Sequence, residues 1–230
     1  MMIDTETYYI MYLKGRNAEQ IQKHIRSLKM ETGRFKNELE NPNYIEEVPM
    51  FPSKSTFIKW NRVFLERAQK ALADAGGTYK PSQAELKAID FDNNIPFISK
   101  VVFSIGGFFK GYETRTFTLD DEHVYMDVDH TRILKPTEIC EPQDKDFSRE
   151  EFLEGIRDLH LGEWRRKYDL RRFGCLVCDG TQWELEVHFS NGHKSLKVYG
   201  DNAYPWNFNE LQELLGVTLG DDENILDEEE

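Results

Sequence analysis

Apolar residues recur along this chain with two different periods, and the change from one to the other falls near Asp90. Over residues 17–40, Ile21, Ile25, Leu28, Thr32, Phe35 and Leu39 step alternately by four and three. That spacing makes one stripe along an α-helix, which Asn41-Pro42-Asn43 then ends. A linker holding Pro42, Pro49 and Pro52 leads to a second helix over about 55–75. Phe57, Trp60, Phe64, Ala68, Ala71 and Leu72 share its apolar side, and Gly76-Gly77 closes it. Two amphipathic helices joined by a short linker predict an antiparallel hairpin. A third, short helix is expected over 82–89, after Pro81. Ahead of them, Tyr-Tyr-Ile-Met-Tyr-Leu (8–13) reads as a short strand buried on both faces.

Past Asp90 the period becomes two. Residues 98–105 are β-branched and aromatic, 112–119 alternate, Asp120-Asp121-Glu122 supplies a turn, and 123–129 alternate again with Val124, Met126 and Val128 inward. This predicts an antiparallel three-stranded meander. After a linker over 135–146, Ser148 and Glu151 fit a capping box, opening a helix that buries Phe152, Ile156, Leu159 and Trp164. The scheme then repeats. A strand over 173–178 is followed by the hairpin signal Asp179-Gly180 and a strand over 182–189 that puts Trp183, Leu185, Val187 and Phe189 on one face. Asn191-Gly192 turns the chain into a strand over 195–199. A last helix over 208–215 follows, with Asn207 as N-cap and Gly216 as C-cap. The expected fold class is therefore α+β: an N-terminal helical hairpin plus two antiparallel three-stranded β-meander/helix units. Residues 1–90 form a mainly helical region, 91–220 the duplicated region and 221–230 a disordered acidic tail. One continuous sheet fits the same order of elements.

Composition supports a folded chain, since aromatics make up 13% of it and supply bulky core surface. No apolar run approaches the roughly 20 residues that span a bilayer. The N-terminus has no basic region followed by an apolar one, and three cysteines are too few for a disulfide framework. These features predict a soluble cytoplasmic protein with no membrane partner. The net charge of −13 is uneven: residues 221–230 hold seven acidic and no basic side chains.

Several stretches have a family likeness: Tyr-Leu-Lys-Gly-Arg (12–16), Gly-Thr-Tyr-Lys-Pro-Ser-Gln-Ala-Glu-Leu-Lys-Ala (77–88), Phe-Leu-Glu-Gly-Ile-Arg-Asp-Leu-His-Leu-Gly-Glu-Trp-Arg-Arg (152–166), Asp-Gly-Thr-Gln-Trp-Glu-Leu (179–185) and Tyr-Gly-Asp-Asn-Ala-Tyr-Pro-Trp-Asn-Phe (199–208). Through them the chain resembles an uncharacterised bacterial family of Gram-positive gut commensals, carried on mobile elements. The resemblance implies a bacterial cytoplasmic origin and, by analogy, an accessory or host-interaction role. It implies no activity.

Chemistry-bearing residues are sparse. The densest group is Trp164-Arg165-Arg166-Lys167-Tyr168-Asp169-Leu170-Arg171-Arg172, with five basic residues in positions 165–172 beside two aromatics. Guanidinium forks bind phosphates and aromatic faces stack on bases, so Trp164, Arg165, Arg166, Lys167, Arg171 and Arg172 are the candidate polyanion-binding set. The plain alternative is a helix C-terminus, where cations favour the dipole. Residues 14–36 carry seven Lys or Arg against two Glu, a basic face for an acidic partner or for solvent. On the strand over 123–129, His123, Asp127 and Asp129 share a face, the ligand types of a metal-dependent hydrolase. Cys175, Cys178, His188 and His193 offer zinc-ligand types, but a spacing of three sends two strand cysteines to opposite faces. No phosphate-binding glycine loop, nucleophile elbow or HExxH stands in the chain, and no cofactor is implied. The expectation is a non-enzymatic interaction protein with an unidentified protein partner. Nucleic-acid binding through 164–172 and metal-dependent hydrolysis at Asp127/Asp129 are the alternatives.

Overall fold

The computed structural model describes residues 3–45, 50–107, 111–131, 147–175 and 180–217. These form two compact units. The helical unit comprises Met1–Lys87, Tyr168–Val177 and Ala203–Trp206, and the sheet unit comprises Ala88–Lys167, Cys178–Asn202 and Asn207–Glu230. The expected acidic tail at 221–230 lies outside the described residues.

Residues 8–13 are not a strand: helix α1 (Thr5–Tyr8) runs on into a π-helical turn, Tyr9–Leu13. The Asp4 carboxylate accepts from the amides of Glu6 and Thr7 at 2.9 and 2.8 Å, starting the helix at a point where a strand would have no cap. Tyr8 and Leu13, five apart, are both buried, while Ile10, Met11 and Tyr12 face solvent. A five-residue period suits a π turn, and an unbroken apolar run carries no alternation to set it apart from a strand.

Helix α2 (Ala18–Leu39) begins on a capping box in which Asn17 and Gln20 each bond the other's backbone amide. Its buried side is Ile21, Ile25, Leu28 and Phe35, as the stripe predicts, whereas Leu39 is exposed. Helix α3 (Lys54–Asp74) starts on Ser53 and buries Ile58, Ala68, Ala71 and Leu72; Phe57, Trp60 and Phe64 are only half-buried. Phe35 meets Phe57, Asn61 donates to Glu31 at 3.0 Å and Lys54 pairs with Glu38 at 3.6 Å. The numbers fall on one helix as they rise on the other, so the two run antiparallel. The third helix, α4 (Gln83–Asn94), is longer than expected, because nothing breaks it before Pro96.

The sheet unit is built on β1 (Ile98–Gly107), β2 (Gly111–Leu119) and β3 (His123–Thr131), an antiparallel meander. A two-residue strand, β4 (Phe147–Ser148), pairs with the start of β3. The capping box of Ser148 and Glu151 opens α5 (Arg149–Asp158) as expected. After the short β5 (Lys167–Asp169) come β6 (Gln182–Phe189), β7 (Leu196–Asp201) and α6 (Phe208–Leu215). The strand order is β4-β3-β2-β1-β6-β7 with β5 at the far end, so the expected duplication into two meanders is replaced by one sheet. Leu170–Phe173 is a 3-10 turn ended by Gly174 at φ 77°, not the start of a strand over 173–178, whose residues 176–178 lie outside the described set. The free edge of β1 is taken by β6 instead, which satisfies its ladder groups.

Alternation sorts the two faces of this sheet. Val101, Phe103, Ile105, Phe117, Trp183, Leu185, Val187 and Val198 point to one side and are buried. Phe152 of α5 stacks on Phe117 at 5.3 Å, and Phe208 of α6 packs on Trp183 at 4.8 Å. A Cβ at Gly155 would lie 2.5 Å from Leu214, so the glycine permits the close approach of α5 and α6. Arg115 is a buried polar member of the inner face. Its guanidinium donates to the carbonyls of Leu215 and Gly216 at 2.9 and 2.6 Å, satisfying the C-terminus of α6, and pairs with Glu113. Asn207 precedes α6 as expected, but its side chain makes no cap; its Nδ2 donates to the Leu159 carbonyl at 2.9 Å instead.

Candidate functional site

The basic segment is not the end of helix α5, and its residues are divided between the two units. Helix α5 stops at Asp158, and the chain reaches Trp164 through a 3-10 turn, Leu161–Glu163. Trp164 is 4% exposed and meets Trp183 edge to face, with ring centroids 6.2 Å apart. Tyr168 is equally buried. Neither aromatic presents a face on which a base stacks. Arg165, Arg166 and Lys167 are exposed and belong to the sheet unit, whereas Arg171 and Arg172 belong to the helical unit. The amide of Arg171 donates to Asp169 at 2.9 Å. Arg172 donates to Asn37 at 2.6 Å and to Glu40 at 3.2 Å, and the Glu40 side chain is only 5% exposed. A buried carboxylate needs a cation, and Arg172 is that cation, so its first role is to hold the 170–173 turn on α2.

The excess charge of α2 is answered locally in part. Lys23 pairs with Glu19, Arg34 with Glu38, and Lys29 with Glu85 at 2.7 Å. On β3, His123, Asp127 and Asp129 are exposed together on one sheet face, and among the described residues no group of three or more His, Cys, Asp or Glu side chains is placed to hold a metal ion. Of the zinc-ligand types, Cys175 accepts from Asn43 at 3.3 Å, His188 contacts Ser195 and Glu186, and His193 contacts Asp90 at 3.0 Å. Cys178 and Cys140 lie outside the described residues.

The helical unit carries a groove that the sequence reading did not single out. It follows the second face of α2, where Met30, Gly33, Arg34 and Asn37 recur at helical spacing away from the Ile21–Phe35 stripe, and runs past the helix end to Asn41. Phe173 and Tyr44 close its sides. The open volume is about 580 Å³. Met30 is 77% exposed, and a Cβ added at Gly33 would touch nothing within 4 Å, so the floor is open there. Gly33 is the signal that was available. A glycine in the middle of a helix costs about 1 kcal/mol relative to alanine, so its presence marks a place where a side chain is left out. Phe173 forms a wall on the turn that Arg172 anchors to α2.

Ten of the fourteen large apolar or aromatic side chains exposed among the described residues belong to the helical unit, Ile10, Met11, Met30, Phe51 and Val63 among them. No helix among the described residues is long and apolar enough to cross a membrane. Comparison of the chain with protein-family models, with curated proteins and with solved structures finds no match.

Proposed function

We propose that the chain is a non-enzymatic interaction protein whose helical unit receives a partner protein along the second face of α2. The observation that carries this reading is the number of exposed apolar side chains on that unit, together with a groove along α2 that Met30, Tyr44 and Phe173 line. Exposed apolar side chains set among polar ones are the composition of a docking site, and a thioether adapts its shape to what it meets. The occupant that fits is a short amphipathic segment of the partner. Its apolar side chains lie over Gly33 between Met30 and Phe173, and its charged ones face Arg34 and Glu38. An accessory role in a bacterial cell, on the likeness to mobile-element proteins, is the setting this proposal takes.

The test is capture of partners from a bacterial lysate, with and without nuclease treatment, by the tagged full chain and by its Met30→Glu variant. The expected result is a defined protein held by the native chain and lost by the variant, with the far-ultraviolet dichroism of the two unchanged. Equal capture by both overturns the reading. So does recovery of nucleic acid alone, lost on Arg165→Ala and Arg166→Ala, since that outcome assigns the binding to the basic segment.

A further inference from the structure

The sheet unit has a cleft of its own, on the face of the sheet opposite α5 and α6. Two neighbouring rows of registered residues supply most of its lining. One row runs Tyr112, Gly106, Gln182, Asp201 across β2, β1, β6 and β7, and the next runs Thr114, Ser104, Glu184, Tyr199. Directly paired strands lie about 4.8 Å apart, so the short side chain of Ser104 on β1 leaves a dip between Tyr112 on one side and the β6–β7 side chains on the other. The cleft holds about 380 Å³, within the range of small-molecule sites. Across the dip the Tyr112 hydroxyl donates to Gln182 Oε1 at 2.6 Å. At the β7 side the Lys167 ammonium lies 5.6 Å from the centre of the Tyr199 ring, and Tyr199 is 47% exposed.

The donor set decides the ligand class. Lys167 contributes one positive charge and Glu184 and Asp201 two negative ones, all at the same opening. A phosphate or other anion meets two carboxylates there, and an ammonium ligand meets Lys167, so neither charged class is matched. A neutral ligand rich in hydroxyls is. Carboxylate and amide oxygens accept from adjacent hydroxyls, the Lys167 ammonium donates to them, and the tyrosine rings at the two ends cover apolar C–H faces. We propose that this cleft binds a saccharide, with Tyr199 as its stacking platform and Gln182, Glu184 and Asp201 as its hydroxyl partners. The proposal is independent of the groove on α2, which lies in the other unit.

The experiment is titration of the ¹⁵N-labelled full chain with glucose, galactose, N-acetylglucosamine, maltose and cellobiose, following backbone amides. Inorganic phosphate and diglycine serve as charged controls. An open site for one or two sugar rings predicts a dissociation constant on the order of 1 mM. At least one sugar should give saturable shifts centred on residues 182–184 and 199–201. Tyr199→Ala and, separately, Glu184→Ala should weaken that binding about tenfold or more while leaving the rest of the spectrum in place. Both substituted side chains are exposed, so the fold does not depend on them. The proposal is overturned if no sugar gives shifts, if the shifts lie elsewhere or survive both substitutions, or if only phosphate or diglycine binds.

Discussion

The two units dispose of their apolar surface in opposite ways. In the sheet unit, period-two alternation sends every large apolar residue of β1 and β6 except Val102 and Phe189 to full burial beneath α5 and α6, leaving a mostly polar outer face. In the helical unit, α2 and α3 bury one stripe each against the other and keep Met30 and Val63 in solvent. Its core also admits Lys54 and Asn61, held by Glu38 and Glu31. The difference teaches where to look for each kind of contact. A surface with apolar groups left over suits a protein partner, and a polar, grooved sheet suits a small polar ligand.

The contrast can be broken first at the cores. Phe103→Ala removes a fully buried ring from the sheet unit and is expected to cost about 3–5 kcal/mol in a guanidinium titration. A loss under about 1 kcal/mol would mean that the aromatic core does not hold that unit. Arg115→Ala comes next, at about 2–3 kcal/mol, because the carbonyls of Leu215 and Gly216 lose a charged donor. Hydrogen exchange of the α6 amides should quicken more than that of the β1 amides.

A smaller effect is expected in the helical unit at Glu85. Burial raises the pKa of this carboxyl, but the bonds from Lys29, Tyr79 and Ser82 outweigh it and hold the value at about 2 rather than 4.5. A depressed carboxyl stabilises the fold above its unfolded pKa, and the contribution is lost as the pH falls from about 4.5 toward 2. Glu85→Gln should cost about 1–2 kcal/mol at pH 7, with allowance for partial exposure, and should flatten the acid limb of the stability curve. An unchanged acid limb would remove the network from the account. The smallest effect is that of Met30→Glu on folding, expected within about 0.5 kcal/mol because the side chain is solvent-facing.

What was legible in the chain was what one turn or one strand decides by itself. The Asn17–Gln20 and Ser148–Glu151 boxes join residues three apart, and the stripe from Ile21 to Phe35 is a property of one helix. Which strand lies beside β1 is not such a property. The alternation in β6 states which face is apolar and says nothing of its neighbour, so two meanders and one sheet read alike. Residues 8–13 failed for the opposite reason, since a wholly apolar run has no period to read. The site residues follow the same rule. The role of Arg172 depends on Glu40, 132 positions away, and the cleft over Ser104 depends on the register of four strands.

The most direct test of the division between the units is photocrosslinking from single sites of the full chain in a bacterial lysate. The photoreactive residue would replace Met30 in one sample and Tyr125, exposed on the sheet face, in the other. The account predicts one discrete protein adduct from position 30 and none from position 125. An adduct from position 125 with none from position 30 would contradict it, placing the partner on the sheet unit.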